Sequence, residues 1–159
     1  EAFIKGGIQP KRSVIFVLFA SEEQGLNGAK HFVESWKNGY DKITAMINLD
    51  CIGYGDSIQI GNGKSAPKLW DIANEIDETS FNSMVDRTWS GGGADATPFF
   101  EKGIPCLYFV TTNSYDHLHL PSDKVETLNP TLFEKVVKLA HLTALEIANG
   151  NYERETIIK

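Results

Sequence analysis

Four side chains that could bind a metal ion or move a proton follow segments predicted to be strands. Glu22 and Glu23 come just after one apolar run, and Asp50 ends a second. His119 lies in the polar loop after the last run. Carboxyl ends of parallel strands meet at one edge of a sheet, so these side chains are expected to lie together. Carboxylate and imidazole ligands from separate strand ends suit Zn²⁺ in an open catalytic site, whereas a structural zinc normally uses closely spaced cysteines.

The two consecutive glutamates could divide two tasks between them. Neighbouring side chains in extended backbone point in opposite directions, so one of them can bind a metal while the other faces a water molecule. Zinc lowers the pKa of a water that it binds to about 7, and a nearby carboxylate can then take the proton as the water attacks a carbonyl. The pair is therefore consistent with metal-assisted hydrolysis.

Each of these residues also has an explanation without chemistry. Ser21 could cap a helix whose first turn would favour the two following acids. Asp50 could simply be a turn residue. His119 could be a solvated loop histidine, and His117 could replace it as a ligand. The hypothesis of a site rests on all of these residues sharing one predicted sheet edge.

Strands and helices alternate along the chain, which predicts an α/β fold. The predicted strands span residues 13–19, 43–49, 57–61, 83–89 and 105–110, and the predicted helices span 26–36, 67–76, 97–100 and a long stretch from 130. The run Ser13–Phe19 has no polar alternation, which is typical of a strand buried on both faces, so it is expected to be central. We therefore expect a mostly parallel mixed sheet with helices on both faces.

Length and charge exclude several classes of protein. The 159 residues suit one domain, 1–159. A net charge of −6 argues against nucleic acid or an anionic membrane as partner, and no apolar run is long enough to span a bilayer. Cys51 and Cys106 lie in apolar surroundings and are expected to be buried thiols. Gly91–Gly93 lacks the context of a phosphate-binding motif and is interpreted as a flexible loop.

Three segments together resemble the di-zinc aminopeptidase family that includes bacterial leucyl aminopeptidases and glutamate carboxypeptidase. They are Phe19–Ala29, Ile47–Gly53 and His119–Asp123, and their order and spacing match through nearly the whole chain. The resemblance implies a three-layer zinc-exopeptidase fold and an aminopeptidase acting on peptides with a free N-terminus. Because such relatives are often exported, an exported protein is also expected.

The resemblance also implies roles for the four residues. Glu22 corresponds to the general base and Glu23 to a ligand of one zinc. His119 corresponds to a second ligand of that zinc, because the family's histidine lies four residues before an aspartate, as His119 lies before Asp123. His117 does not match that spacing. Asp50 corresponds to a ligand of a second zinc.

One motif departs from the family pattern. Gly93–Phe99 resembles the family's Ser-Asp-His-x-Pro-Phe, but Ala94 and Ala96 replace the serine and the histidine. Asp95 is retained and is expected at the rim of the substrate pocket. Trp89 and Tyr115 are candidate aromatic residues of that pocket, although packing could equally explain each of them.

The family also uses a histidine and a metal-bridging aspartate upstream of the two glutamates. Residues 1–12 contain neither type, and Glu1–Gly7 resembles the last turn of a helix with a glycine C-cap. We therefore expect the chain to be the C-terminal part of a longer protein, with an incomplete set of ligands at each metal. The isolated chain is expected to bind zinc weakly and to be inactive.

Two alternatives stay open at this point. Relatives of the family cyclise N-terminal glutamine with similar metal chemistry, so acyl transfer without hydrolysis is one. The other is a binding module that keeps the fold without the chemistry. The altered segment around Asp95 favours the binding module, and the retained carboxylates and imidazole oppose it.

Overall fold

The computed structural model describes residues 5–7 and 9–159. Residues 1–4 of the predicted helix end lie outside the described part. Within it, Lys5 is helical, and Gly7 has the left-handed backbone, φ 64°, that is expected of a C-capping glycine.

A three-stranded sheet forms the middle of the molecule. Its strands are β1 (Met46–Leu49), β2 (Ile58–Gly61) and β3 (Cys106–Thr111), and β3 lies between the other two. β1 pairs with β3 in the predicted parallel direction, whereas β2 pairs with β3 antiparallel. Only eight residues join β1 to β2. Because a parallel crossover needs about a dozen residues or more, the chain re-enters the sheet in the opposite direction.

Helices cover both faces of this sheet, as predicted. They are α1 (Asn27–Ser35), α2 (Pro67–Ser80), α3 (Thr97–Glu101) and α4 (Pro130–Asn149). Side chains of β3 alternate between the two layers. Leu107 and Phe109 pack in a cluster with residues of α2 and α4, while Cys106 packs with residues of α1 and α3. The result is a three-layer arrangement.

The ends of the long helix α4 follow from three residues. Asn129 Oδ1 accepts a hydrogen bond of 3.1 Å from the backbone N–H of Leu132, which satisfies a donor that the first turn leaves without a helical partner. Pro130 occupies the first turn, where its missing N–H costs nothing. Gly150 ends the helix with φ 91°. The predicted cap is confirmed.

The predicted central strand at Ser13–Phe19 is wrong for this chain. Residues 13–19 belong to no strand, and Ile15 and Leu18 are 58% and 101% exposed. The apolar composition is that of a buried strand. Among the described residues no strand pairs with this segment, and much of it is exposed.

The predicted strand at Ser83–Trp89 is reduced to a single bridge between Met84 and Ile58. Asp77, at the end of α2, holds the start of this segment. Its carboxylate accepts hydrogen bonds from the backbone N–H of Ser83, at 3.0 Å, and of Met84, at 2.8 Å. Asp77 is only 3% exposed. A side chain therefore satisfies backbone donors that a longer ladder would otherwise use.

The segment after α4 caps the N-terminus of α2. Glu155 Oε2 accepts from the N–H of Lys68 at 3.2 Å, and Oε1 accepts from the N–H of Leu69 at 2.9 Å. The Tyr152 hydroxyl donates to Glu155 Oε1 at 3.1 Å. Because α2 has no side-chain cap of its own, a residue from the far end of the chain caps it. None of the described helices is long and apolar enough to span a membrane.

Candidate active site

Asp50 lies directly after β1, beside the carboxyl end of β3. Its backbone N–H donates to Phe109 O at 3.2 Å. The hydroxyl of Thr111, the last residue of β3, bonds to the carbonyls of Cys51, at 3.0 Å, and of Tyr54. Cys51 has left-handed backbone, φ 51°, which L-residues adopt only at some cost. These contacts hold the turn that begins at Asp50.

Glu22 and Glu23 lie in a tight turn before α1. The backbone N–H groups of Gly25 and Leu26 both donate to Glu22 O, at 3.0 and 2.9 Å. Helix α1 begins at Asn27, with no acidic residue in its first turn and no side-chain cap. The explanation of the two glutamates as first-turn acids behind a Ser21 cap is therefore wrong.

His119 approaches Glu23 across 96 positions of sequence. Its Nε2 lies 2.6 Å from Glu23 Oε1, and both side chains are about two thirds exposed. His117 turns elsewhere: its Nδ1 lies 3.0 Å from Ser122 Oγ, and its ring packs edge-on against Tyr54 at 4.6 Å. Of the two histidines in this loop, the structure brings His119 to the glutamates.

The remaining carboxylates are close enough to repel one another. Partial burial raises the pKa of Glu22, and the negative charges of Asp50, Glu23 and Asp95 raise it further, while His119 lowers it. Burial and then Asp50 also raise the pKa of Asp95. Glu22, Asp50 and Asp95 are therefore close enough to one another for their negative charges to interact.

Cys51 lies beside Asp50 but is not an available thiolate. Burial, followed by the charge of Asp50, raises the pKa of its thiol to about 12. Its Sγ donates to Asp50 Oδ1 at 3.4 Å. At neutral pH the group remains a thiol. It therefore does not supply the thiolate that metal coordination or nucleophilic attack requires.

The donors fit a zinc site in kind but not in number. Glu23 and His119 supply one carboxylate and one imidazole, both of which are ordinary zinc ligands. Catalytic zinc takes three protein ligands, and in the described part of the chain no three His, Cys, Asp or Glu side chains are grouped to hold one ion. The described residues thus do not by themselves provide the three protein ligands of a catalytic zinc.

Tyr108 connects the candidate pocket residues and was not singled out from sequence. The rings of Trp89 and Tyr108 meet edge-on at 6.0 Å. Burial raises the pKa of Tyr108, and Tyr115 lies near enough to raise it further. A Cβ on Gly93 would lie 2.7 Å from the Tyr108 ring, so the glycine is needed to leave room for it. The available signal was a phenol in an otherwise apolar strand, since buried tyrosines need a hydrogen-bond partner.

A titration can test the contact between Glu23 and His119. The hydrogen bond and the charge of Glu23 raise the pKa of His119 above its usual 6.5. In Glu23→Gln we expect that pKa to fall back towards 6.5, because the amide carries no charge. Proton-detected titration of the imidazole resonances measures it. Asp41→Asn, which alters an exposed acid at a distant turn, is the control, and an equal fall there would contradict the contact.

Comparisons with known proteins place the chain in a peptidase family. The sequence model of peptidase family M28 matches residues 1–144. A probable zinc metalloprotease of Phaeosphaeria nodorum is 27% identical over 190 residues, which cover 89% of this chain and 38% of that protein. A probable leucine aminopeptidase of Arthroderma benhamiae is 26% identical over 149 residues, covering 91% of this chain and 42% of that protein.

The fold of the chain is similar to that of a solved aminopeptidase. The crystal structure of a zinc aminopeptidase from Bacillus subtilis superposes with a TM-score of 0.78 at 20% identity, covering 99% of this chain and 41% of that one. This chain spans about two fifths of the length of the curated relatives that it matches.

Proposed function

Since the chain belongs to peptidase family M28, we propose that the protein containing it is a zinc-dependent aminopeptidase that hydrolyses the N-terminal bond of peptides. The observation that carries the proposal is the contact of 2.6 Å between His119 and Glu23, beside Glu22 and Asp50. The named relatives above are metalloproteases and aminopeptidases, which supports hydrolysis over cyclisation of N-terminal glutamine.

In this proposal the chain's own residues divide the work as follows. Glu23 and His119 would hold one zinc ion, and Asp50 would hold a second. Bound zinc would supply a Lewis acid and make water acidic at neutral pH. Glu22 is half-buried next to these residues. Its raised pKa lies closer to the pKa of a zinc-bound water, which makes Glu22 a better acceptor of that water's proton. Glu22 takes the proton as water attacks and passes it to the leaving amine.

The negative charge of the site suits the positively charged N-terminus of a peptide substrate. Asp50, Asp95 and Glu22 concentrate negative charge in one place, which favours the protonated amine of a peptide N-terminus. Beside them lies Trp89, a half-buried aromatic ring that packs edge-on against the buried Tyr108. We propose that the amine binds at the carboxylates while the first side chain packs against Trp89.

The remaining metal ligands are proposed to come from a part of the protein outside this chain. Two donors, Glu23 and His119, do not complete a tetrahedral zinc, and relatives are more than twice as long as this chain. The proposal therefore includes two zinc ions in the whole protein and an incomplete site here.

We expect the isolated chain to bind zinc weakly and to hydrolyse no substrate. Each missing ligand removes binding free energy from a site that depends on all of them. Metal analysis after dialysis and an assay with leucyl p-nitroanilide measure the two properties. Two tightly bound zinc ions with turnover would refute the partial site. In the whole protein, faster cyclisation of a glutaminyl peptide than hydrolysis of a leucyl peptide would refute the aminopeptidase.

A further inference from the structure

His119 has an unusual backbone conformation. Its φ is 60°, in the left-handed region that residues other than glycine adopt only at some cost. Its side chain is also about two thirds exposed, so burial does not hold it in place. Backbone strain of this kind persists only where the surrounding structure over-determines it. The groups that keep His119 facing Glu23 therefore have to be sought in the loop around it.

The backbone hydrogen bonds of this loop are all local in the described part of the chain. The N–H groups of Asp116, Leu118, Leu120 and Asp123 each donate to the carbonyl three positions earlier, at 2.9 to 3.3 Å. Bonds between positions three apart define tight turns. They do not fix the direction in which the loop leaves the sheet, so side-chain contacts are needed for that.

His117 makes two such contacts. Its Nδ1 lies 3.0 Å from Ser122 Oγ, and this hydrogen bond spans five positions and encloses His119. On its other side, the ring of His117 packs against the ring of Tyr54, with centroids 4.6 Å apart and an interplanar angle of 82°. Edge-on packing is a favoured arrangement of aromatic rings. His117 thus joins the loop that carries His119 to a residue outside it.

Tyr54 is a fixed point for this contact. Its carbonyl accepts a hydrogen bond from the hydroxyl of Thr111, the last residue of β3, which is only 2% exposed. The next residue, Gly55, has φ 127°, and a Cβ there would overlap the carbonyl oxygen of Thr112. The backbone at Tyr54 is therefore packed closely against the end of the sheet. The same turn begins at Asp50, the predicted ligand of the second metal.

From these contacts we propose that His117 is a positioning residue. It holds the loop of His119 to the turn that carries Asp50, through Ser122 on one side and Tyr54 on the other. The two predicted ligands thereby keep a fixed separation. His117 acts on the site through His119 and is not itself a ligand. The use of this arrangement for metal binding rests on the proposed function, whereas the arrangement itself does not.

NMR relaxation of the metal-free chain tests this role through the order parameter of the His119 N–H. We expect about 0.85, the value of rigid backbone, and a fall below about 0.6 in His117→Ala, Ser122→Ala and Tyr54→Leu. Ser122→Thr keeps the hydroxyl and Tyr54→Phe keeps the ring, so both should retain the original value. His31→Ala removes an exposed imidazole from α1 and is the control, which should also retain it.

Two results of this experiment would overturn the proposal. The first is an unchanged order parameter in His117→Ala. The second is a fall in only one of Ser122→Ala and Tyr54→Leu, because a single contact would then hold the loop. All of these chains are compared without metal or substrate, so the result does not depend on peptidase activity.

Zinc binding by the whole protein tests the consequence for the site. Ser122→Ala should weaken it about tenfold in competition with a chelator, and Ser122→Thr should restore it, because groups that orient a ligand contribute to metal affinity. Equal affinity of Ser122→Ala and the unaltered protein would refute the role of His117 in the site. An unaltered whole protein that binds no zinc would instead contradict the proposed peptidase, and the order measured in the metal-free chain would stand.

Discussion

Glu22→Gln should lower the turnover of the whole protein about a hundred- to ten-thousandfold while its zinc content stays the same. The amide keeps the size of the side chain but cannot accept a proton from water, and general-base catalysis typically contributes a factor of this order. Steady-state kinetics with leucyl p-nitroanilide and metal analysis of the same samples measure the two quantities. Since Glu22 is half-buried in a turn rather than in the core, folding should be retained.

The matched control is Glu34→Gln, which makes the same change on the exposed surface of α1. Its turnover should equal that of the unaltered protein. Two outcomes would contradict the assignment. Loss of zinc in Glu22→Gln would make Glu22 a ligand, and unchanged turnover would move the base to another carboxylate at this edge.

Asp77→Ala should destabilise the chain by about 3 kcal/mol, because it removes a buried carboxylate that accepts hydrogen bonds from two partly buried backbone donors. The N–H groups of Ser83 and Met84 both depend on this carboxylate, which is almost fully buried. For a domain of this size that loss corresponds to a fall in the melting temperature of about 10 °C. Thermal unfolding followed by circular dichroism measures it.

Asp71→Ala is the control for this change, because Asp71 lies on the exposed side of the same helix. It should alter the melting temperature little, since helix propensity at a surface position is worth less than about 1 kcal/mol. If Asp71→Ala and Asp77→Ala have the same melting temperature, the hydrogen bonds of Asp77 do not hold the segment after α2.

Local signals predicted most of the elements, for reasons that the structure makes visible. Pro67, Pro130 and Gly150 mark helix ends through backbone restrictions that act within a few residues. The strand predicted at 105–110 became β3, displaced by one residue, because its apolar run is covered on both faces. Such features require no knowledge of distant parts of the chain.

The errors in the fold came from properties that local sequence does not contain. Ser13–Phe19 has the composition of a central strand, yet strand formation requires a neighbour to pair with. At the start of Ser83–Trp89, two backbone donors bond to the side chain of Asp77, in the last turn of α2. Neither the pairing partner nor that contact can be inferred from hydrophobic periodicity.

The candidate site was more predictable than its surroundings. Strand ends brought Asp50 and His119 towards Glu22 and Glu23 because parallel strands share one carboxyl edge. Family spacing favoured His119 over His117 as the ligand. In the structure His119 contacts Glu23, whereas His117 contacts Ser122. The packing of Tyr108 against Trp89 could not be predicted, because it depends on the face of β3 that Tyr108 occupies and on the space that Gly93 leaves for its ring.

The capping of α2 by Glu155 has a consequence for synthesis of the protein. Glu155 follows Lys68 and Leu69 by 87 and 86 positions. A chain emerging from the ribosome therefore exposes the first turn of α2 long before the carboxylate that completes it has been translated, since synthesis adds about 5–20 residues each second. Capping of α2 must therefore wait for residues that follow α4, and a chain stalled before position 155 would leave the first N–H groups of α2 without this acceptor.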